Sequence, residues 1–246
     1  VNNEDYNIYI HNKEEINDEY SIYSIPNKID TKWGDISLVK ATLLLFEEAF
    51  KNEENEYFIL LSESCIPLNN YINIKNKIFD IDSSIINNFN NENKQHQWIL
   101  LKRDLLEWFI NNKNYDDYID YKPPDEYYFI NLVNKFNLSS KYKILDLPLT
   151  FVNWKDLSEN PKYRIQPKTY DYLDNKEYDN FLENNYLFAR KFSDICQFNL
   201  KLIKNINYEI SIIIKKWIDN NNVYWIQLDE KENQILSLVG AYNFFY

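Results

Sequence analysis

A short apolar run, Tyr57–Leu61, is followed at once by a polar loop, Ser62–Pro67, that ends in proline. This stretch, YFILLSESCIPL with the following Leu68, restricts the architecture most. The run is too short for a buried helix and long enough for a buried strand. The polar residues and the proline then read as the loop that leaves it. In open α/β sheets ligands bind outside the carboxyl ends of strands, so Ser62, Glu63 and Ser64 are placed to line a site. Taken alone, the segment fits equally a buried strand and its turn.

The flanking chain repeats the alternation of strand and helix. Tyr6–Ile10 and Ser21–Pro26 read as short strands, and Ser37 to about Lys51 as a helix with Leu38, Ala41 and Leu44 or Leu45 on one face. Asp35 and Ser37 are its candidate N-caps. Helices are expected at Tyr71–Ile81, Asp104–Ile110, Pro124 to about Phe136 and Tyr170–Leu182, and again from Asp194. Strands are expected at Gln97–Leu101, Leu149–Val152, Tyr186–Ala189 and Val223–Leu228, with Asn87–Gln95 as an exposed Asn-rich loop. Strands alternating with helices, with neither an internal repeat nor a long linker, imply one α/β domain over residues 1–246.

Composition removes several classes of function. Only two glycines occur, Gly34 and Gly240, so no Gly-rich loop can cradle a phosphate. Any phosphate must be held by side chains or helix ends. A net charge of −11 disfavours nucleic acid as a partner. Cys65 and Cys196 make no disulfide framework or zinc spacing, and His11 and His96 read as structural. No apolar run reaches the ~18–20 residues of a membrane span. The 21 Tyr and 6 Trp supply core and, where exposed, faces on which a sugar can stack. The chain begins at Val1 and contains no Met, which suggests a processed piece or a fragment.

Certain residues can carry chemistry. Glu126, at the start of an expected helix, faces the positive end of the helix dipole, a setting that suits a proton acceptor. It and Asp125 also fit plain helix caps. Arg190 and Lys191, adjacent cations beside an apolar run, can bind a diphosphate through charge-assisted hydrogen bonds or can simply be solvated. Trp154 ends a strand and can stack on a sugar or fill the core. Asp80 and Asp82 form an Asp-x-Asp pair, but on a helical pattern rather than after a strand, which disfavours metal binding.

Several segments, in order, resemble the core-2/I-branching glycosyltransferase family, most closely its plant-type branch. They are YNIYIH at Tyr6–His11, WGDISLVKA at Trp33–Ala41, LLSESCIPL at Leu60–Leu68, QWILLKR at Gln97–Arg103, PDEYYF at Pro124–Phe129, LTFVNW at Leu149–Trp154 and LFARKF at Leu187–Phe192. The resemblance covers about residues 6–192 and leaves 193–246 as an extension of the same domain. It implies a GT-A-like fold, a Rossmann-type mixed sheet flanked by helices. The family's first strand and helix, which help hold uridine, have no counterpart before Tyr6. It also implies inverting transfer of a sugar from a UDP-sugar to a hydroxyl of a glycan or glycoprotein, with neither metal nor other cofactor. N-acetylglucosamine, xylose and glucuronic acid are the donors within the resembling families. By the same resemblance Glu126 is the general base, Lys191 binds the donor diphosphate, and Arg190 and Lys168 are its candidate helpers. Trp154 falls where an acceptor-contacting Trp is found. Cys65 stands near the position of an Asp in animal members. The family's members are Golgi or secretory type II membrane proteins.

Two other classes compete with an active transferase. One is a sugar- or nucleotide-sugar-binding module that has lost catalysis, and the other an interaction protein with a borrowed fold. Retention of both Glu126 and Lys191 speaks for the enzyme, since a dead relative need keep neither.

Overall fold

The computed structural model describes residues 6–12, 19–62, 64–89, 92–154, 167–198, 202, 205 and 206. In chain order the elements are α1 (Ser37–Phe50), β1 (Tyr57–Ile59), β2 (Ile66–Pro67), α2 (Tyr71–Ile81), β3 (Ser84–Ile85), β4 (Leu100–Lys102), α3 (Arg103–Asn111), α4 (Tyr128–Lys135), β5 (Ile144–Leu145), β6 (Thr150–Val152), β7 (Tyr170–Tyr172), α5 (Asn175–Glu183), β8 (Phe188–Arg190) and β9 (Phe192–Gln197). The fold class is α/β with mixed sheets and helices, as a GT-A-like fold requires. The described residues divide into two compact units, one of residues 6–62 and 81–149, the other of residues 64–80 and 150–206.

The first unit holds a sheet in the order β1-β4-β3-β5. β4 runs antiparallel to β1 and β3, and β3 runs parallel to β5. β1 begins where the sequence places it, and Leu60 extends its pairing by donating to Ile99 at 3.0 Å. The strand expected at Gln97–Leu101 is the shorter β4, which starts three residues later and ends one later. In α1 the buried positions include Val39, Leu43, Phe46 and Ala49, while Leu38 and Leu44 are partly exposed. Of the expected face, Ala41 and Leu45 are buried as well, so the buried side is broader than expected rather than turned away from it. Neither expected residue is the N-cap, which is Ile36, but Asp35 just before it accepts the Ser37 N–H through Oδ1 at 2.8 Å.

The helix end is closed from a distance. The Arg103 guanidinium donates to the carbonyls of Phe50, Asn52 and Asn55 at 2.7–2.9 Å and lies 4.1 Å over the Phe50 ring. The last carbonyls of a helix lack partners within it, and one planar fork of donors satisfies several carbonyls together here. Beneath these elements Phe109 and Phe129 meet edge to face at 5.0 Å, and Tyr118 and Tyr128 pack at 5.0 Å.

The second unit holds the sheet β2-β8-β6 and the pair β7-β9. β6 and β8 are parallel, and β2 is antiparallel to β8. Its core gathers Leu68, Tyr170, Leu173, Tyr178, Phe181 and Ala189. The buried Tyr178 hydroxyl donates to the Leu68 carbonyl at 2.7 Å and ties the end of the Tyr57–Leu68 stretch to α5.

Several expectations are corrected. Tyr6–Ile10 makes an isolated parallel bridge, Ile10 to Ser24, rather than a strand in a sheet. Ser21–Pro26 begins inside a 3-10 turn, Glu19–Tyr23. Tyr170–Leu182 starts as β7. The helix begins only after Asp174, whose side chain accepts the Glu177 N–H. The segment around Asp194 is strand β9, because β7 supplies a parallel partner that local sequence does not show. Val223–Leu228 lies outside the described residues. Asn87 and Gln95 are buried rather than exposed.

Candidate functional site

In the second unit most of the expected site residues meet at one end of the sheet. Val152 of β6 pairs with Arg190 of β8, so the carboxyl ends of two parallel strands coincide. Asn153 and Trp154 leave the first and Lys191 leaves the second. Because β2 is antiparallel to β8, with Ile66 opposite Ala189, the residues that enter β2 lie at this same end. Ser64 is therefore beside the cations. Its hydroxyl receives a long hydrogen bond from Arg190 Nη2, at 3.4 Å, and its carbonyl accepts the Phe192 N–H at 3.1 Å. This is the sheet end at which open α/β sheets place ligands.

Lys168 joins the group through the backbone, its N–H donating to the Asn153 carbonyl at 2.9 Å. Its ammonium lies 4.6 Å from the centre of the Tyr170 ring and 3.7 Å from Glu177 Oε1. Tyr170 is a hub that the sequence reading missed. It is 1% exposed, and its hydroxyl donates to Glu177 at 2.6 Å and accepts from Asn153 Nδ2 at 2.9 Å. Its N–H donates to the Lys191 carbonyl at 2.8 Å, and its ring stacks on Phe192 at 5.1 Å. Tyr170 thus links the backbone or side chain of every basic candidate except Arg190. A tyrosine within an expected helix carries no local sign of this role. Trp154 is 42% exposed and keeps a face open to stacking. Basic side chains, an exposed indole and a serine can together hold a negatively charged, sugar-bearing ligand.

Glu126 belongs to the first unit. It lies in the 3-10 turn Pro124–Glu126, ahead of Tyr127, the N-cap of α4, and makes no side-chain cap bond. The capping role is therefore not observed for Glu126. Its carboxylate pairs with Lys94 at 2.8 Å through Oε2. Partnership with this carboxylate raises the Lys94 ammonium above its ordinary value. Asp125, its neighbour, is buried, and its Oδ1 has no hydrogen-bond partner among the described residues. Burial pushes this carboxyl up to about 6, with the Glu126 charge adding to the shift.

The remaining expectations fall out as follows. Ser62 is buried in the first unit, and Glu63 lies outside the described residues. Asp82 pairs with Lys102 and accepts a hydrogen bond from Tyr57, which holds its carboxyl below the ordinary range. Cys65 is buried. His11 is structural, since its Nε2 accepts the Ile29 N–H at 2.9 Å and burial lowers its basicity. Among the described residues, no helix is long and apolar enough to cross a membrane.

Comparison with known proteins bears on the first part of the chain. A stretch of 65 residues, 26% of this chain, is 31% identical to Glycosyltransferase BC10 of Oryza sativa subsp. japonica and covers 16% of that protein. Residues 2–97 match the model of the family named Branch, Core-2/I-Branching enzyme. The match contains the segments YNIYIH, WGDISLVKA and LLSESCIPL and ends before Glu126, Trp154 and Lys191. Over residues 2–97, then, this chain is similar to the Core-2/I-Branching enzymes.

Proposed function

We propose that this chain is the catalytic part of an inverting glycosyltransferase that moves a sugar from a UDP-sugar to a hydroxyl of a glycan or glycoprotein without a metal ion. What supports the reading most is the gathering of Ser64, Trp154, Lys168, Arg190 and Lys191 around the carboxyl ends of β6 and β8. The match to Core-2/I-Branching enzymes, whose rice relative is named a glycosyltransferase, points the same way.

The chemistry follows from the side chains. Glu126 accepts the proton of an acceptor hydroxyl as its oxygen attacks the anomeric carbon from the face opposite UDP. The bond from that carbon to the diphosphate oxygen breaks, and UDP leaves with the electron pair. Lys191, with Arg190 and Lys168, stabilises the charge that develops on the leaving group, the task a divalent cation performs elsewhere. Trp154 offers a face to the acceptor sugar. N-acetylglucosamine is the first donor to test, followed by xylose and glucuronic acid.

General-base catalysis is typically worth ~10²–10⁴-fold, about 3–5 kcal/mol of barrier. Glu126→Gln keeps the shape of the side chain and removes the base, so turnover should fall by at least about a hundredfold while UDP binding persists. A loss smaller than about tenfold would remove Glu126 from this role. A thermal-shift and hydrolysis screen of UDP-sugars identifies the donor. Binding without turnover of any donor or acceptor would favour the inactive sugar-binding module.

A further inference from the structure

We propose that residues 93–95 form a strap that positions the Glu126 carboxylate, with Lys94 and Gln95 as the positioning residues. The proposal rests on Glu126 acting as the base. The strap grips the turn on both sides. Gln95 donates its N–H to the Glu126 carbonyl at 2.7 Å. Its side-chain Oε1, fully buried, accepts the Ile130 N–H at 2.6 Å. Asn131 Nδ2 donates to the Asn93 carbonyl at 2.9 Å, and Asn134 Nδ2 to Asn93 Oδ1 at 2.6 Å.

These bonds answer a local deficit. The first N–H groups of a helix lack partners within it, and Tyr127 at the N-cap of α4 supplies no side-chain acceptor. Gln95 takes the N–H of the third residue of α4, as a capping side chain would. Backbone pairing at Gln95 fixes where Lys94 must stand, and its ammonium meets Glu126 Oε2. That leaves Oε1 to receive a proton. The ion pair is partly exposed, with the side chains 39% and 27% accessible. Pairs of this kind add little stability, so its consequence is the direction of the carboxylate. Direction matters because a misplacement of about 1 Å at a catalytic group can cost about a hundredfold in rate.

The test reads hydrolysis of UDP-N-acetylglucosamine by the whole chain as released UDP, with UDP affinity measured by calorimetry. Lys94→Met should lower kcat about tenfold or more and leave the UDP Kd within about twofold, and Lys94→Arg should restore kcat to within about threefold. In a Glu126→Gln background, Lys94→Met should change kcat less than about twofold, because the two residues act as a unit. An equal loss in both backgrounds, or a weakened UDP Kd with kcat intact, would overturn the proposal. If Glu126→Gln itself keeps turnover, the base assignment falls and takes the strap's role with it. That pattern differs from a collapse in Glu126→Gln beside an unaffected Lys94→Met, which sinks the strap alone. Amide hydrogen exchange gives a reading independent of turnover. Gln95→Met should speed exchange at Ile130 by about tenfold or more, and an unchanged rate there would also overturn the strap.

Discussion

Asp125 and Glu126 are neighbours with the same functional group and opposite settings. Glu126 keeps a cation at 2.8 Å and some access to solvent, whereas Asp125 is 8% exposed with an unsatisfied oxygen. Burial, and then the charge of Glu126, lift the Asp125 carboxyl from the ordinary 3.8 to about 6. A carboxyl that holds its proton more tightly folded than unfolded supports the fold below the unfolded value. That support is lost as pH rises from there through about 6. Asp125→Asn, which cannot ionise, should therefore be more stable than the natural chain at pH 7.5, by on the order of 2 kcal/mol, and close to it at pH 4. Thermal melts at the two pH values check this, and equal differences at both would count against it. The sequence alone singles out Glu126 as the proton acceptor and otherwise reads both residues as helix caps. Packing separates them, and packing is not visible in a dipeptide.

Among the elements, α1 shows how far sequence patterning reaches. Its start and length are legible because the polar residues before it and the apolar run are local signals. Its far end is not. Arg103 closes the carbonyls at and just after the helix end from about fifty positions away. Its reading as part of a recurring segment gives no hint of this structural role. Lysine carries the same charge on a single ammonium that cannot fork across these carbonyls. Arg103→Lys should lower Tm by about 2–6 °C, following a loss of about 1–2 kcal/mol in hydrogen bonding. Differential scanning calorimetry measures it, and an unchanged Tm would show that the fork adds nothing. Likewise β7 and β9 are strands because each supplies the other's partner, against the helical pattern that each carries alone.

At the scale of the whole molecule a chain of net charge −11 collects Lys168, Arg190 and Lys191 at one end of a three-stranded sheet. Under the proposed function, this cluster of cations serves to attract a diphosphate against the general field of the protein. Lys191→Ala should weaken UDP binding roughly tenfold or more by calorimetry, from the loss of about 1.5–3 kcal/mol of charge-assisted hydrogen bonding. Uridine, which has no phosphate, should bind the variant and the natural chain alike. UDP affinity should also fall as salt rises, because ions screen the partly exposed cations. If Lys191→Ala weakened uridine and UDP equally, the lysine would be serving the structure rather than the phosphate.

The sequence by itself determined the α/β class, the start of β1, the absence of a glycine phosphate cradle, and the order of segments that resemble the Core-2/I-Branching enzymes. Each of these is written in contiguous residues, through periodicity, turn chemistry or composition. The end of the loop expected at Ser62–Pro67, by contrast, is strand β2. Only the tertiary structure decided which side chains share a neighbourhood. Ser64 reaches Arg190 because β2 and β8 run antiparallel, and Lys168 is held at the end of β6 because its backbone N–H donates to the Asn153 carbonyl. Lys94 reaches Glu126 because Gln95 docks on the start of α4. Hydrogen bonds between residues distant in the chain depend on strand register and helix placement, and no local pattern of residues encodes either.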